Sequence, residues 1–225
     1  MIYQYKKMMI LLYAIWTTLI YKVYSQSNCN DAFMNHAKEN AVKWRKYASE
    51  LFCKFHSKDS IQASGGWCES PPEKGKYGYE LWNRVNETAT PALHRVPADP
   101  DIAKVIAKYT LDRLGNKPIS IVDIGAGVGQ YGRWFNHYEP KIEYHGFDGS
   151  GNIESFTNGF VSWIDVTDPL FHTVNVTADF VMSLEVAEHI PASTVPAFLD
   201  LLDRHNRYGI ILSWARKGAR RTRPY

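Results

Sequence analysis

Between Ile119 and Phe135 the chain reads ISIVDIGAGVGQYGRWF: a β-branched run reaching Asp123, glycines at 125, 127, 129 and 132, and then an aromatic segment that suits a helix. An apolar run, a tight turn and a helix start in that order predict a strand–loop–helix unit of an α/β sheet. Glycine lets the backbone turn sharply and approach a ligand closely, and a helix start offers unpaired N–H groups. The stretch therefore predicts a nucleotide cradle, and the remaining chain must supply the sheet around it.

The 225 residues are 45% apolar and 22% charged, which leaves room for one sizeable core with extensions. The formal net charge is +3, but Arg216, Lys217, Arg220, Arg221 and Arg223 crowd the last ten residues, and +3 less those five leaves −2 for the body. No basic footprint for nucleic acid remains, and 216–225 is expected to be a basic, solvated tail.

At the other end, Lys6 and Lys7 precede an uncharged run from Met8 to Tyr21, closed by Lys22. These 14 residues fall short of the roughly 20 that cross a bilayer and suit a signal-peptide core, with Val23 and Ser25 as small residues before a cleavage point. Residues 1–25 are thus read as a signal peptide or a retained signal-anchor. Either places the body in the secretory pathway, lumenal or secreted, with membrane contact only through this segment if it is not cleaved. Asn86 and Asn175 then stand in acceptor tripeptides for glycosylation. Cys29, Cys53 and Cys68 allow one internal disulfide at most, Cys53 with Cys68 or Cys29 with Cys53, or else small buried side chains.

Residues 26–100 read as a helical and loop extension. Phe33, Ala37 and Ala41, continued by Val42, Trp44, Tyr47, Leu51, Phe52 and Phe55, mix three- and four-residue steps and predict a helix over 31–55. A glycine-, proline- and aromatic-rich loop with Trp67, Tyr77, Tyr79 and Trp82 follows. Asp99 as a cap, Pro100 in the first turn and a stripe of Ile102, Val105, Ile106 and Tyr109 then predict a second helix feeding the strand at Ile119, and the domain proper is set at 101–215.

Gly127, Gly129 and Gly132 satisfy GxGxxG, and Asp148 follows where an acid can meet a ribose hydroxyl, so a dinucleotide site and an NAD-dependent oxidoreductase fit the string. Asp123 discriminates. A carboxylate at the strand end suits a ligand bearing an ammonium group and repels a pyrophosphate.

IVDIGAGVGQYG resembles the first motif of class I S-adenosylmethionine-dependent methyltransferases, and the later landmarks arrive in that family's order. IEYHGFD ends at Asp148, FVSWID at Asp165, and DFVMSLEVAEHIP carries Glu185, Glu188 and His189. The resemblance implies a Rossmann-like sheet and S-adenosylmethionine as cofactor, held by Asp123, Gly125, Ala126, Gly127, Gly129, Asp148 at the ribose, Asp165 at the adenine amino group, and Glu185. It also implies transfer of a methyl group to an unread small-molecule or protein acceptor. Methyl transfer needs alignment and removal of a proton, for which His189 and Glu188 are the catalytic candidates. EVAEH is similar to segments that bind Mg²⁺ in some relatives of that family. By that resemblance Glu185, Glu188 and His189 are weak candidates for metal ligands, and no metal is the expectation.

A helix near Val195, with Val195, Phe198, Leu199 and Leu202 buried, and a fifth strand in RYGIILSW complete what is legible. The family sets two further strands beside the fifth, so five of seven strands and a C-terminally truncated domain are expected. An apolar fifth strand at the edge is an association site. The alternative function is a methyltransferase fold without catalysis, acting as an interaction protein.

Overall fold

The computed structural model describes residues 31–55, 68–69 and 98–215. The expectations for 1–25, Cys29, the loop aromatics, Asn86 and the basic tail lie outside the described residues. Contacts divide the chain into two units, Met1–Trp44 and Arg45–Tyr225. Among the described residues no helix is long and apolar enough to cross a membrane.

Helix α1 (Asp31–Phe55) has the bounds its apolar spacing predicts, and its turns from Arg45 onward belong to the second unit. That unit holds a five-stranded sheet of β1 (Ile119–Ile124), β2 (Ile142–Asp148), β3 (Val161–Trp163), β4 (Ala178–Leu184) and β5 (Asn206–Ser213). The order is β3-β2-β1-β4-β5 and every pairing is parallel. This is a Rossmann-like arrangement. The chain builds outward from β1 to β3 and then returns to the other side of β1 for β4. That reversal opens a crevice at the carboxyl ends of β1 and β4.

Alternate side chains of each strand serve opposite faces. Val122, Ile124, Phe147 and Val181 pack with Phe198, Leu201 and Leu202 of α5 (Val195–Arg204). On the other face Ile119, Ile121, Ile142, Phe180 and Met182 pack with α2 (Pro100–Arg113) and with Phe135 of α3 (Gln130–Tyr138). Fully buried side chains such as Phe135, Phe180 and Phe198 each contribute about 1.5–3 kcal/mol by leaving water. Asp123 shares its face with Ile119 and Ile121, so the strand that builds this core also delivers a carboxylate to its end.

Asp99 caps α2 as expected, accepting from the backbone N–H groups of Asp101 and Ile102. The expected stripe is only partly the buried one. Ile106 is buried, but Ile102, Val105 and Tyr109 are exposed, and Ala103, Ala107, Thr110 and Leu111 face the sheet. The small alanines let the helix axis approach the strands, which larger side chains would prevent. In α5, likewise, Leu201 is buried and Leu199 exposed.

Strand β3 is shorter than expected and ends at Trp163, two residues before Asp165. Between them the N–H of Ile164 donates to the carbonyl of Asp148 at 3.0 Å. Short α4 (Ile153–Phe156) lies between β2 and β3. Of the two pairings open from sequence, the disulfide is Cys53–Cys68, which ties the end of α1 to the buried Cys68, next to the buried Glu69. Strand β5 lies at the sheet edge, with Tyr208, Ile210 and Leu212 exposed, followed by an exposed Trp214.

Candidate functional site

The glycine loop folds back onto the end of β2. The N–H groups of Gly125 and Ala126 both donate to the carbonyl of Phe147, at 2.8 and 2.9 Å. That of Gly127 donates to Asp148 Oδ2 at 2.8 Å, and that of Gly129 to the carbonyl of Ala126 at 3.0 Å. Four amides of the loop are therefore engaged, three by the end of β2 and one by Ala126. Gly125 is indispensable to this turn: its φ is +81°, and a Cβ there would lie 2.2 Å from a methyl of Val186 in the β4 loop.

Two carboxylates close the crevice. Asp123 is 2% exposed, in register with Gly146 of β2 on one side and Met182 of β4 on the other. Tyr144 donates its hydroxyl to Asp123 Oδ2 at 2.7 Å. Burial pushes the Asp123 carboxyl up from its ordinary 3.8 to about 7. The Tyr144 hydrogen bond opposes the rise, and the Asp148 charge adds to it. Burial and the adjacent Asp123 likewise hold the Tyr144 phenol well above its ordinary value, so it remains the donor of the pair. Asp148 is oriented by Gly127 at Oδ2 and by the Ser150 N–H at Oδ1, 2.8 Å each. Its direction is fixed before any ligand arrives, and a carboxylate so placed can accept hydrogen bonds from a vicinal diol.

Sequence reasoning missed Tyr144, although β2 carries the signal: positions 144, 146 and 148 share one face by the two-residue period. Tyr144 is anchored there by stacking on Phe160, with centroids 5.7 Å apart and planes 17° apart, while Arg133 covers the same Phe160 ring at 4.2 Å. Gly132 makes room for Tyr144, since a Cβ at 132 would lie 2.2 Å from its ring.

The structure separates the expected EVAEH cluster. Glu185 adopts a left-handed φ of +56°. Its N–H donates to Ser213 Oγ at 3.0 Å, and the same hydroxyl donates to Glu185 Oε1 at 2.7 Å. Glu185 is exposed and engaged with Ser213 of β5. The helical turn that would have gathered Glu185, Glu188 and His189 is a short 3₁₀ turn, Ala187–His189, and β4 has ended before it. Among the described residues no group of three His, Cys, Asp or Glu side chains could hold a metal ion, and Glu185, Glu188 and His189 form none. His189 is exposed, whereas Glu188 is half-buried with Oε2 enclosed and without a hydrogen-bond partner.

Asp165 is 1% exposed, and both its oxygens are engaged. Arg45 Nε and Nη2 donate to Oδ2 at 2.9 and 2.7 Å, and the backbone N–H and hydroxyl of Thr167 donate to Oδ1. Nothing in the sequence pairs Arg45 with a residue 120 positions away.

No protein-family model and no curated protein matches the chain. Solved structures similar to it include an amino pentose methyltransferase from Micromonospora echinaspora involved in calicheamicin biosynthesis, bound to S-adenosylmethionine. It is 18% identical, with a TM-score of 0.39, over 48% of this chain and 46% of that one. Another is TehB from Haemophilus influenzae, 18% identical, TM-score 0.38, over 55% and 40%. A third is magnesium protoporphyrin IX methyltransferase from Synechocystis with bound S-adenosylhomocysteine, 16% identical, TM-score 0.35, over 47% and 51%. The chain spans about half or less of the length of each of these structures.

Proposed function

We propose that this chain carries the cofactor-binding half of a class I methyltransferase, taking S-adenosylmethionine as methyl donor. One observation carries the reading: the amides at 125, 126, 127 and 129 are already bonded to the end of β2 and to Ala126, and the strand ends bring the carboxyl groups of Asp123 and Asp148 beside the loop. A pyrophosphate would meet the Asp148 carboxylate beside a loop in which these four amides already have partners. A ligand with an ammonium at one end and a ribose diol at the other meets a partner for each.

Methyl transfer on this reading is a displacement at carbon. A lone pair of the acceptor attacks the methyl carbon, the carbon–sulfur bond breaks, and its electrons stay on sulfur as S-adenosylhomocysteine forms. The acceptor's proton leaves to a nearby base. Glu188 suits that role better than His189, because its enclosed Oε2 carries no competing hydrogen bond.

Titration calorimetry of the full chain with S-adenosylmethionine, S-adenosylhomocysteine and NAD tests the assignment. Heat is expected with the first two and none with NAD. Binding of NAD alone would sink the reading and return the oxidoreductase.

A further inference from the structure

The carboxylate that follows β3, Asp165, has its acceptor capacity already committed. A carboxylate offers about four lone-pair positions, and the four donors on Asp165 fill them. An exocyclic amino group arriving at Asp165 therefore finds no acceptor unless Arg45 withdraws.

Withdrawal is opposed from several directions. The Arg45–Asp165 pair is nearly enclosed, with side chains 17% and 1% exposed. Removing one partner from such a pair leaves a buried charge uncompensated. The guanidinium also lies 5.7 Å from the centre of the Phe171 ring. The next residue, Lys46, pairs with Glu154 on α4, whose other oxygen accepts from the N–H of Trp163 at 3.0 Å. Further along α1, Cys53 is bonded to Cys68. Beside Cys68, the N–H of Glu69 donates to Asn152 Oδ1 at 2.8 Å, and Asn152 Nδ2 donates back to the carbonyl of Glu69 at 2.7 Å. Ser150, whose N–H fixes Asp148, also donates its hydroxyl to Glu69 Oε1. The turns of α1 from Arg45 on are thus tied to the β2–β3 edge directly by Arg45 and Lys46 and indirectly through the Cys53–Cys68 bond, and a single hydrogen bond from a base does not offset undoing them.

We propose that this site, if it binds S-adenosylmethionine as argued above, does not read the amino group of adenine: Arg45 silences Asp165, and the ligand is held by its ribose and amino-acid ends. Arg45 is then a positioning residue that sets base selectivity by occupying the acceptor.

The test compares S-adenosylhomocysteine with its 6-deamino analogue, in which purine replaces adenine and only the amino group is lost. Calorimetry on the full chain is expected to give dissociation constants within about threefold of each other, because Asp165 has no acceptor position left for the missing group. In Arg45→Met, which keeps length and removes the donors, Asp165 can accept, and a preference of about tenfold or more for the adenine form is expected. A wild-type preference of that size would overturn the proposal while leaving the cofactor reading intact, and an unchanged ratio in Arg45→Met would remove Arg45 as the cause. Binding of neither compound to wild type would overturn both. If Arg45→Met does not fold, the wild-type ratio decides alone.

Discussion

Replacing Asp123 with asparagine is expected to stabilise the unliganded protein and to abolish cofactor binding. The carboxyl releases its proton near 3.8 in the unfolded chain and near 7 in the fold. Between those values the folded state holds a proton that the unfolded state has lost. The stability contributed by this group is therefore complete below pH 3.8 and is lost as pH rises through 7. At about 1.36 kcal/mol for each pH unit the loss comes to about 4 kcal/mol by pH 8. Asparagine does not titrate and escapes it.

Urea denaturation of both proteins from pH 5 to pH 8 measures the effect. The stability difference in favour of Asp123→Asn should grow by about 1.4 kcal/mol per pH unit and level off a little above pH 7. Whatever the new amide gains or loses in packing enters as a constant offset and leaves the slope unchanged. In Tyr144→Phe, which deletes the hydrogen bond that lowers this pKa, the levelling should move to higher pH. Binding must run the other way. An ammonium requires the ionised carboxylate, so affinity for S-adenosylhomocysteine should fall up to about tenfold per pH unit below 7 and be flat above it. A stability difference that ignores pH would show that Asp123 is not held up by burial, and the electrostatic basis of the site assignment would fail with it.

Glu188→Gln is expected to lower single-turnover methyl transfer to a responsive acceptor at least tenfold, while affinity for S-adenosylhomocysteine stays within about twofold. Equal loss of both would mean that Glu188 shapes the cofactor pocket instead. At the sheet edge, the exposed β5 with Ile210 and Leu212 should drive concentration-dependent association visible by light scattering, and Ile210→Lys should abolish it. A wild-type chain that stays monomeric across the accessible concentrations would refute the edge argument.

Strands β1 and β4 were legible in sequence because a parallel strand buried on both faces is apolar along most of its length, and such a run bounded by turn residues stands out. Helix α2 was read less well for the opposite reason. Ile102, Val105 and Tyr109 outweigh Ala103 and Ala107 in apolarity, yet the alanines are what a helix pressed against a sheet can tolerate. Size mattered more than hydrophobicity, and a periodicity count weighs only the second. Within the site, Asp123, Gly125, Gly127 and Asp148 could be placed because each is tied to a strand end by chain connectivity. Arg45 could not, since its position depends on how α1 returns to an edge assembled 120 residues later.

The GxGxxG string shows where such reading stops. Glycine at those positions permits the loop to turn, but leaves open whether its amides end up facing a ligand or facing the protein. Here the carbonyl of Phe147 and the carboxylate of Asp148, both supplied by the end of β2, take three of those amides, and the carbonyl of Ala126 takes a fourth. The loop is held against its own sheet, and its electrical character passes from the N–H groups to the two acids. Asp123, held near neutrality until a cation arrives, then makes binding of an ammonium and loss of a proton one coupled event. A pyrophosphate would find these four amides already bonded, would lie beside the Asp148 carboxylate and would offer Asp123 no cation to ionise it. A sulfonium nucleoside with a free amino-acid end has only to displace one proton.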